Sequence, residues 1–367
     1  MKIAMLGTKG IPATWGGIER HVEEISTRLV RMGHDVTVYC RPHYTQTDLR
    51  EYKGVNLQIL PTIHSKNLDA IVHTFLGTLH AATKRYDIVH YHAIGPGTMA
   101  LLSRTTGKNV VVTVHGLDWE REKWGKAAKA YLKLGESISV RYPHRTIAVS
   151  KFLKGYLEAK YGKEVTYIPS AVTDPCPRTP DKIRQFGIGE RDYILFVSRL
   201  VPEKGGHFLI EAFKQVKTGL KLVIAGGSSL SDEYVAELRK HASDKIIFTD
   251  YVYGETLEEL YSNAYCYVQP STIEGLPVTL LEAAAYGNCI ISSDIPPNRE
   301  VVDGIGITFR SQDVDDLRAA LERVVGDPVL AENLRGKALT QGVAEYNYDS
   351  VTEKTEALYR SILQGGC

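Results

Sequence analysis

The chain has 367 residues, of which 43% are hydrophobic and 24% charged, a size that fits two globular domains better than one ordinary core. No apolar run approaches the roughly 20 residues needed to span a bilayer, and "MKIAMLG" runs straight into a glycine-rich turn, unlike a cleavable signal, so a cytoplasmic protein is expected. The net charge of +1 hides an asymmetry: residues 1–168 carry 24 Lys and Arg against 14 Asp and Glu, and residues 169–367 carry 20 against 29, so the first half is expected to face something anionic.

Short β-branched runs alternate with longer amphipathic segments, the pattern of βα units and parallel sheets. In chain order the expected strands are 2–7, 35–40, 87–92, 109–115 and 145–150, then 193–198, 221–226, 245–249, 266–270 and 289–293. Each half can build its own doubly wound sheet. Between them "PSAVTDPCPRTP" (169–180) reads as a linker, and "YNYDSVTEKTEALYRSIL" (346–363) reads as a helix after the second domain is complete. The fold class is therefore α/β, with domains at 1–168 and 169–345 and a last segment at 346–367. Five scattered cysteines (Cys40, Cys176, Cys266, Cys289 and Cys367) have no CxxC spacing and suggest neither a disulfide framework nor a zinc site; most are expected to act as small hydrophobes in or beside strands.

Ligands of open parallel sheets bind beyond the carboxyl ends of the strands, where the polar and glycine residues of this sequence cluster. Two such sheets facing each other would enclose one cleft. The first cluster, "GTKGIPATWGGIERHVEEI" (7–25), is a glycine-rich passage from strand to helix whose N–H groups can approach a phosphate, with Gly16 and Gly17 at the helix start. Its spacing is not the GxGxxG dinucleotide fingerprint, and Cys40 and Arg41, not an acid, end the second strand, which argues against a nucleotide-dependent oxidoreductase. His115 ends the valine-rich strand in "VVTVHGLDWERE" (111–122), where a histidine is as often a satisfied hydrogen bonder as a functional group. In "EKWGKAAKAYLKLGE" (122–136), Lys123, Lys126, Lys129 and Lys133 recur at helical spacing; they form either a solvated face or a surface lying on anionic lipid with Trp124 in the interface.

"FVSRLVPEKGGHFLIEAF" (196–213) sets Arg199 and Lys204 past a strand and ahead of a helix expected near Gly206, a placement suited to binding a diphosphate and stabilising it as a leaving group. "STIEGLPVTLLEAAAYG" (271–287) places Glu274 before, and Glu282 inside, an apolar helix expected to begin near Pro277, with Gly275 and Leu276 at its N-terminus. Buried carboxylates need partners, and sugar and ribose hydroxyls on either side of a diphosphate would supply them. That combination describes a nucleotide sugar.

The motif Glu274-x7-Glu282, preceded by Arg199, Lys204 and the Gly16–Gly17 loop, resembles the retaining glycosyltransferases of family 4, which have the GT-B fold, and the likeness covers essentially the whole chain. The opening 25 residues and "TVHGLDWEREKWGKAAKAYLKLGE" are similar to a bacterial and archaeal subgroup that includes rhamnosyltransferases of surface polysaccharide assembly. The resemblance implies two Rossmann-like domains and a final helix that crosses back to the first. It implies that Glu274 contacts the donor sugar, Glu282 the ribose, Arg199 and Lys204 the diphosphate, Gly16 and Gly17 the closing loop, and that His115 sits by the transferred sugar. It implies no metal and no cofactor, and a UDP- or dTDP-linked hexose or deoxyhexose passed to a glycan or lipid-linked glycan; the basic first half points to a membrane-side acceptor such as a polyprenyl-diphosphate-linked glycan and to contact with an anionic membrane. A non-catalytic nucleotide-sugar binding protein would lose the cations or glutamates, and all are present. No aromatic-interleaved basic patch points to nucleic acid.

Overall fold

In the computed structural model, which describes residues 1–65, 68–228 and 231–365, the chain divides into two compact units, Met1–Ala171 with Tyr348–Cys367, and Val172–Asn347. Cys367 lies outside the described residues.

The first unit is built on β1 (Lys2–Leu6), α1 (Gly17–Arg31), β2 (Asp35–Cys40), β3 (Glu51–Tyr52), β4 (Val55–Ile59), α2 (Asp69–Ala82), β5 (Ile88–His92), α3 (Ala100–Thr105), β6 (Asn109–Val114), α4 (Lys126–Arg141), β7 (Arg145–Ala148), α5 (Lys151–Tyr161) and β8 (Thr166–Tyr167). The sheet order is β3-β4-β2-β1-β5-β6-β7-β8, parallel throughout except for the short antiparallel β3–β4 pair. Val110, Val111, Val112 and Val114 of β6 are all fully buried, as expected of a strand covered on both faces.

The second unit carries β9 (Tyr193–Val197), α6 (Gly206–Gln215), β10 (Lys221–Ala225), α7 (Asp232–Arg239), β11 (Ile246–Asp250), α8 (Glu255–Asn263), β12 (Cys266–Gln269), α9 (Val278–Ala285), β13 (Cys289–Ser293), α10 (Pro296–Val302), β14 (Ile307–Phe309), α11 (Val314–Gly326) and α12 (Pro328–Gln341). Its six strands are all parallel, in the order β11-β10-β9-β12-β13-β14. The chain then returns to the first unit as α13 (Tyr348–Gln364), whose Val351, Leu358, Tyr359 and Ile362 join the core beneath α1 and β1.

Each sheet starts at an inner strand, runs outward on one side, then jumps back to the other. The reversal falls between β1 and β5 in the first unit and between β9 and β12 in the second. Neighbouring strand ends diverge there, leaving the crevice in which ligands of such sheets bind.

All ten expected strands are present within a residue or two. The sequence reading missed β3, β4, β8 and β14, which are short or carry polar residues such as Asn56 and Gln58 that hide the apolar pattern. Pro277 is the extended residue before α9 rather than its first helical residue. Cys40, Cys266 and Cys289 are buried in strands, whereas Cys176 is exposed.

Gly226 follows β10 with φ +141°, and a Cβ there would lie 1.7 Å from the Ser198 carbonyl oxygen. Gly226→Ala should therefore force the two strand ends apart and lower unfolding stability by about 1–3 kcal/mol, measurable as a lower urea midpoint.

Candidate active site

In the second unit the reversal point gathers charge. After β9 the chain passes Ser198 and Arg199, makes one 3-10 turn over Pro202–Lys204, and enters α6 through Gly205 at φ +72°. A Cβ on Gly205 would lie 2.1 Å from the carbonyl oxygen of Pro270, so only glycine lets this loop rest on the end of β12. The backbone N–H of Thr272 donates to the Glu203 carbonyl at 2.9 Å and fastens the two loops. This juxtaposition brings the Lys204 ammonium onto the Glu274 carboxylate, with side chains only 16% and 8% exposed.

Glu274 is held from a second direction by Gln269, whose amide donates to the same oxygen at 2.8 Å and to Ser271 Oγ at 2.7 Å. The carbonyl end of Gln269 accepts from the Tyr267 hydroxyl and, at 3.3 Å, from Thr279 of α9. Burial by itself would raise the Glu274 pKa, but the Lys204 charge and hydrogen bonds from Lys204, Ser271 and Gln269 outweigh it and hold the carboxyl below its ordinary value. The site is thus a preformed ion pair with both charges fixed at the mouth of the sheet. Gly275 and the buried Leu276 lead from Glu274 into α9.

Arg199 shares the Lys204 loop, and its charge acts on Tyr251, whose hydroxyl donates to the Gly227 and Ser228 carbonyls at 3.0 Å each. Glu282 lies one turn beyond Thr279 on α9 and accepts from Tyr261 Oη at 3.0 Å, with Tyr286 stacked on Tyr261 at 5.5 Å. Tyr261 thus orients Glu282 on α9.

In the first unit the glycine-rich loop is more occupied than its sequence suggests. Lys9 N–H donates to Glu19, Ala13 N–H to Glu23 at 2.6 Å, and the N–H groups of Thr14 and Trp15 to the Tyr44 hydroxyl at 3.0 and 3.1 Å. A Cβ on Gly16, at φ +109°, would lie 1.9 Å from the Glu19 carboxylate, so this glycine makes room for the carboxylate that ties the loop to α1. Gly17 opens the helix with nothing within 4 Å of its missing side chain.

His115 stands half-buried at the end of β6. Its Nε2 lies 3.2 Å from His92 Nδ1, and its ring meets that of His21 edge-on at 5.2 Å. His90 bridges Tyr359 of α13 at 2.6 Å and Thr113 at 2.7 Å. One ring nitrogen from each of His21, His92 and His115 falls within 4.8 Å of the others, a donor set of three neutral imidazoles that suits a transition ion.

Residues 15–174 match the family described as Glycosyltransferase Family 4, and residues 179–341 the family described as Glycosyl transferases group 1. The chain belongs to the GT-B glycosyltransferases of these two families. Among its relatives are an uncharacterised glycosyltransferase of Methanocaldococcus jannaschii, 27% identical over 99% of both chains, and a GDP-mannose-dependent phosphatidylinositol monomannoside mannosyltransferase of Mycolicibacterium smegmatis, 26% identical over 88% of this chain and 89% of that one. The fold matches sucrose-phosphate synthase of Thermosynechococcus elongatus with a TM-score of 0.85 at 20% identity, covering both chains fully. It also matches Anabaena HepE, solved in complex with UDP and glucose, with a TM-score of 0.82 at 17% identity over 99% and 100% of the two chains.

Two expectations for this glycosyltransferase need correction. The lysine-rich helix begins at Lys126 behind Gly125, so Lys123 and Trp124 precede it, and the Trp124 Nε1 atom is buried. Lys133 lies over Trp119, 4.8 Å from its ring centre, rather than extending from a uniform cationic face. The glycine-rich loop, for its part, does not present its amides at 9, 13, 14 and 15 to a ligand, because side chains of the same unit take them.

Sequence reasoning also missed Gln269, His21 and Glu136. Gln269 was detectable as a polar residue ending an apolar strand; His21 was not, since only the fold brings α1 over β5 and β6. Glu136, fully buried, accepts from Trp119 Nε1, Lys160 and Tyr161 at 2.6 Å each and from Tyr156 at 3.4 Å, fixing the segment that follows His115.

Burial lowers the pKa of His90 and His115 to about 3, and it lowers His21 and His92 well below the ordinary 6.5. The folded protein therefore keeps these rings neutral while the unfolded chain protonates them near pH 6.5. Their contribution is complete above that pH and is lost progressively as pH falls below about 6.5, for His90 and His115 down to about 3. Thermal unfolding followed across pH 7.5 to 4.5 (about three units) should show a steep fall in Tm, flattened in His90→Gln.

Proposed function

We propose that this chain is a retaining, metal-independent glycosyltransferase that moves a hexose or deoxyhexose from a nucleoside-diphosphate sugar to a glycan or lipid-linked glycan in cell-surface polysaccharide or glycoconjugate synthesis, working in the cytoplasm. The observation that carries the reading is the preformed Lys204–Glu274 pair at the reversal point of the second sheet. It sets a fixed cation beside a fixed carboxylate at the mouth of a helix N-terminus, which matches a diphosphate joined to a polyhydroxylated ring. The family membership and the UDP-bound fold neighbour support the nucleotide-sugar part.

In this reading Arg199 and Lys204 bind the diphosphate and neutralise the charge that grows on it as the glycosidic bond breaks, so that no metal is needed for that purpose. Glu274, kept ionised by Lys204, accepts hydrogen bonds from donor-sugar hydroxyls, while the N–H groups at Gly275 and Leu276 face the phosphates. Glu282, oriented by Tyr261, accepts from the ribose. His115, neutral, sits by the transferred sugar, and Gly16 with Gly17 at the start of α1 supply the first unit's approach to the phosphates.

No second carboxylate joins Glu274 at the ion pair to serve as a nucleophile among the described residues, and substitution from the front face follows. The leaving diphosphate takes the proton of the acceptor hydroxyl as that oxygen bonds to the anomeric carbon, which retains configuration. The subgroup resemblance puts rhamnose first among the deoxyhexoses to be screened, although the relatives named above act on other sugars or have no assigned donor.

The test is a screen of nucleotide sugars by thermal shift and donor hydrolysis. One donor should stabilise the wild type and be hydrolysed slowly, and Glu282→Ala should abolish the shift. Lys204→Ala, if it still folds, should lower turnover about 100-fold or more. Turnover within a few-fold of wild type would remove Lys204 from leaving-group stabilisation, and silence toward every nucleotide would sink the donor-site reading.

A further inference from the structure

Helix α2 is built inside out. Its inward face carries small and polar residues: His73, Thr74, Gly77, Thr78 and Ala81 are buried. Leu68, Phe75 and Leu79 point outward, 45%, 42% and 44% exposed, with Val72 half-buried between them. At 100° per residue these four positions fall within one narrow stripe. Ile63, in the preceding segment, is 52% exposed.

The helix cannot rotate to hide this stripe. A Cβ on Gly77 would come within 2.9 Å of Leu6 and 3.2 Å of Tyr39, so the backbone lies directly on the sheet at that point. Thr78 bonds the Tyr91 hydroxyl at 2.8 Å, and His73 donates from its ring to the Cys40 carbonyl at 3.0 Å. Turning the leucines inward would break both bonds and force bulk into a contact only glycine allows. Among the described residues of the first unit, nothing buries Leu68, Phe75 and Leu79.

Its surroundings are basic. From residue 68 to 117, four cations, Lys84, Arg85, Arg104 and Lys108, stand against two acids, Asp69 and Asp87. Asp69 is taken up by Arg41 at 2.6 Å. Lys84 and Arg85 are exposed just past the end of α2, and the Lys108 ammonium bonds the Lys84 carbonyl, which draws a third cation to that end. The neighbouring α3 adds exposed Leu101 and Arg104. Large apolar side chains on a fixed helix, edged by cations with almost no acids, match a surface that is apolar below and anionic above.

We infer that the α2 stripe, not the lysine-rich α4, docks this protein on an anionic lipid bilayer, with Phe75 and Leu79 entering the acyl boundary and Lys84 and Arg85 meeting headgroups. The inference rests on the lipid-linked form of the acceptor proposed above for its purpose, but its physical basis is independent of the donor site.

The test is co-sedimentation of the full chain with vesicles of phosphatidylcholine alone or of an equal mixture with phosphatidylglycerol, without donor or acceptor. Wild type should sediment with the mixed vesicles and be released by salt. Binding should fall about tenfold or more in F75S/L79S and in K84E/R85E, with circular dichroism and Tm unchanged. Absence of wild-type binding at low salt, or unchanged binding in either folded variant, would overturn the inference. So would a wild-type dimer in light scattering that F75S/L79S splits, since the stripe would then join two copies. If F75S/L79S does not fold, K84E/R85E and Leu68→Ser carry the same decision. Donor hydrolysis run in parallel separates the two readings: a protein that hydrolyses donor but ignores vesicles loses only its membrane contact.

Discussion

A parallel sheet that reverses its strand order has to leave a gap where two strand ends part, and nearly every functional candidate in this protein follows from that constraint. In the second unit the gap lies between β9 and β12, so the loops after these strands, far apart in sequence, come to rest on one another. Lys204 and Glu274 meet because Gly205 permits that contact. In the first unit the equivalent gap between β1 and β5 receives His92, His115 and, from α1, His21. The sheet fixes where chemistry can occur, and the loops choose what it is.

Two carboxylates held away from water, Glu136 and Glu274, are handled differently. Glu136 is enclosed by an indole, two phenols and a lysine, so its charge is spent on structure and anchors the segment after His115. Glu274 has one cation, Lys204, with hydrogen bonds from Gln269 and Ser271, at the sheet's edge. Removing Lys204 would leave an uncompensated charge of the kind that costs roughly 3–5 kcal/mol. A ligand that exchanges with such partners rather than stripping them avoids that penalty, which favours hydroxyl-rich and anionic groups over apolar ones at this edge.

The sequence made the strands, the α/β class and the charged residues at strand ends legible, because short β-branched runs and loop polarity are local signals. Lys204 and Glu274 could be singled out from their neighbours, but their pairing could not, since it depends on a carbonyl 65 residues from Gly205 in the chain. The loop ahead of Gly16 and Gly17 is more occupied than its sequence suggests. The amides of Lys9, Ala13, Thr14 and Trp15 are bound by Glu19, Glu23 and Tyr44, and carboxylates that cap a loop from within the next helix look like ordinary solvent-facing residues in a sequence. The lysine stripe of α4 misled for another reason: helical spacing continued across Gly125 on paper, but the helix itself did not. The apolar stripe of α2 was passed over because an amphipathic pattern says that one face is apolar, not which face is buried.

The first unit is discontinuous, since the core beneath α1 includes Tyr348, Val351, Leu358, Tyr359 and Ile362 of α13. On the ribosome, the second unit is made entirely before the helix that completes the first. Residues 1–171 must therefore wait, with the apolar floor of α1 and β1 uncovered and His90 lacking Tyr359, while some 176 residues are added and can fold. The unit translated first is the unit finished last, and the exposed interval is where a chaperone would have most to do.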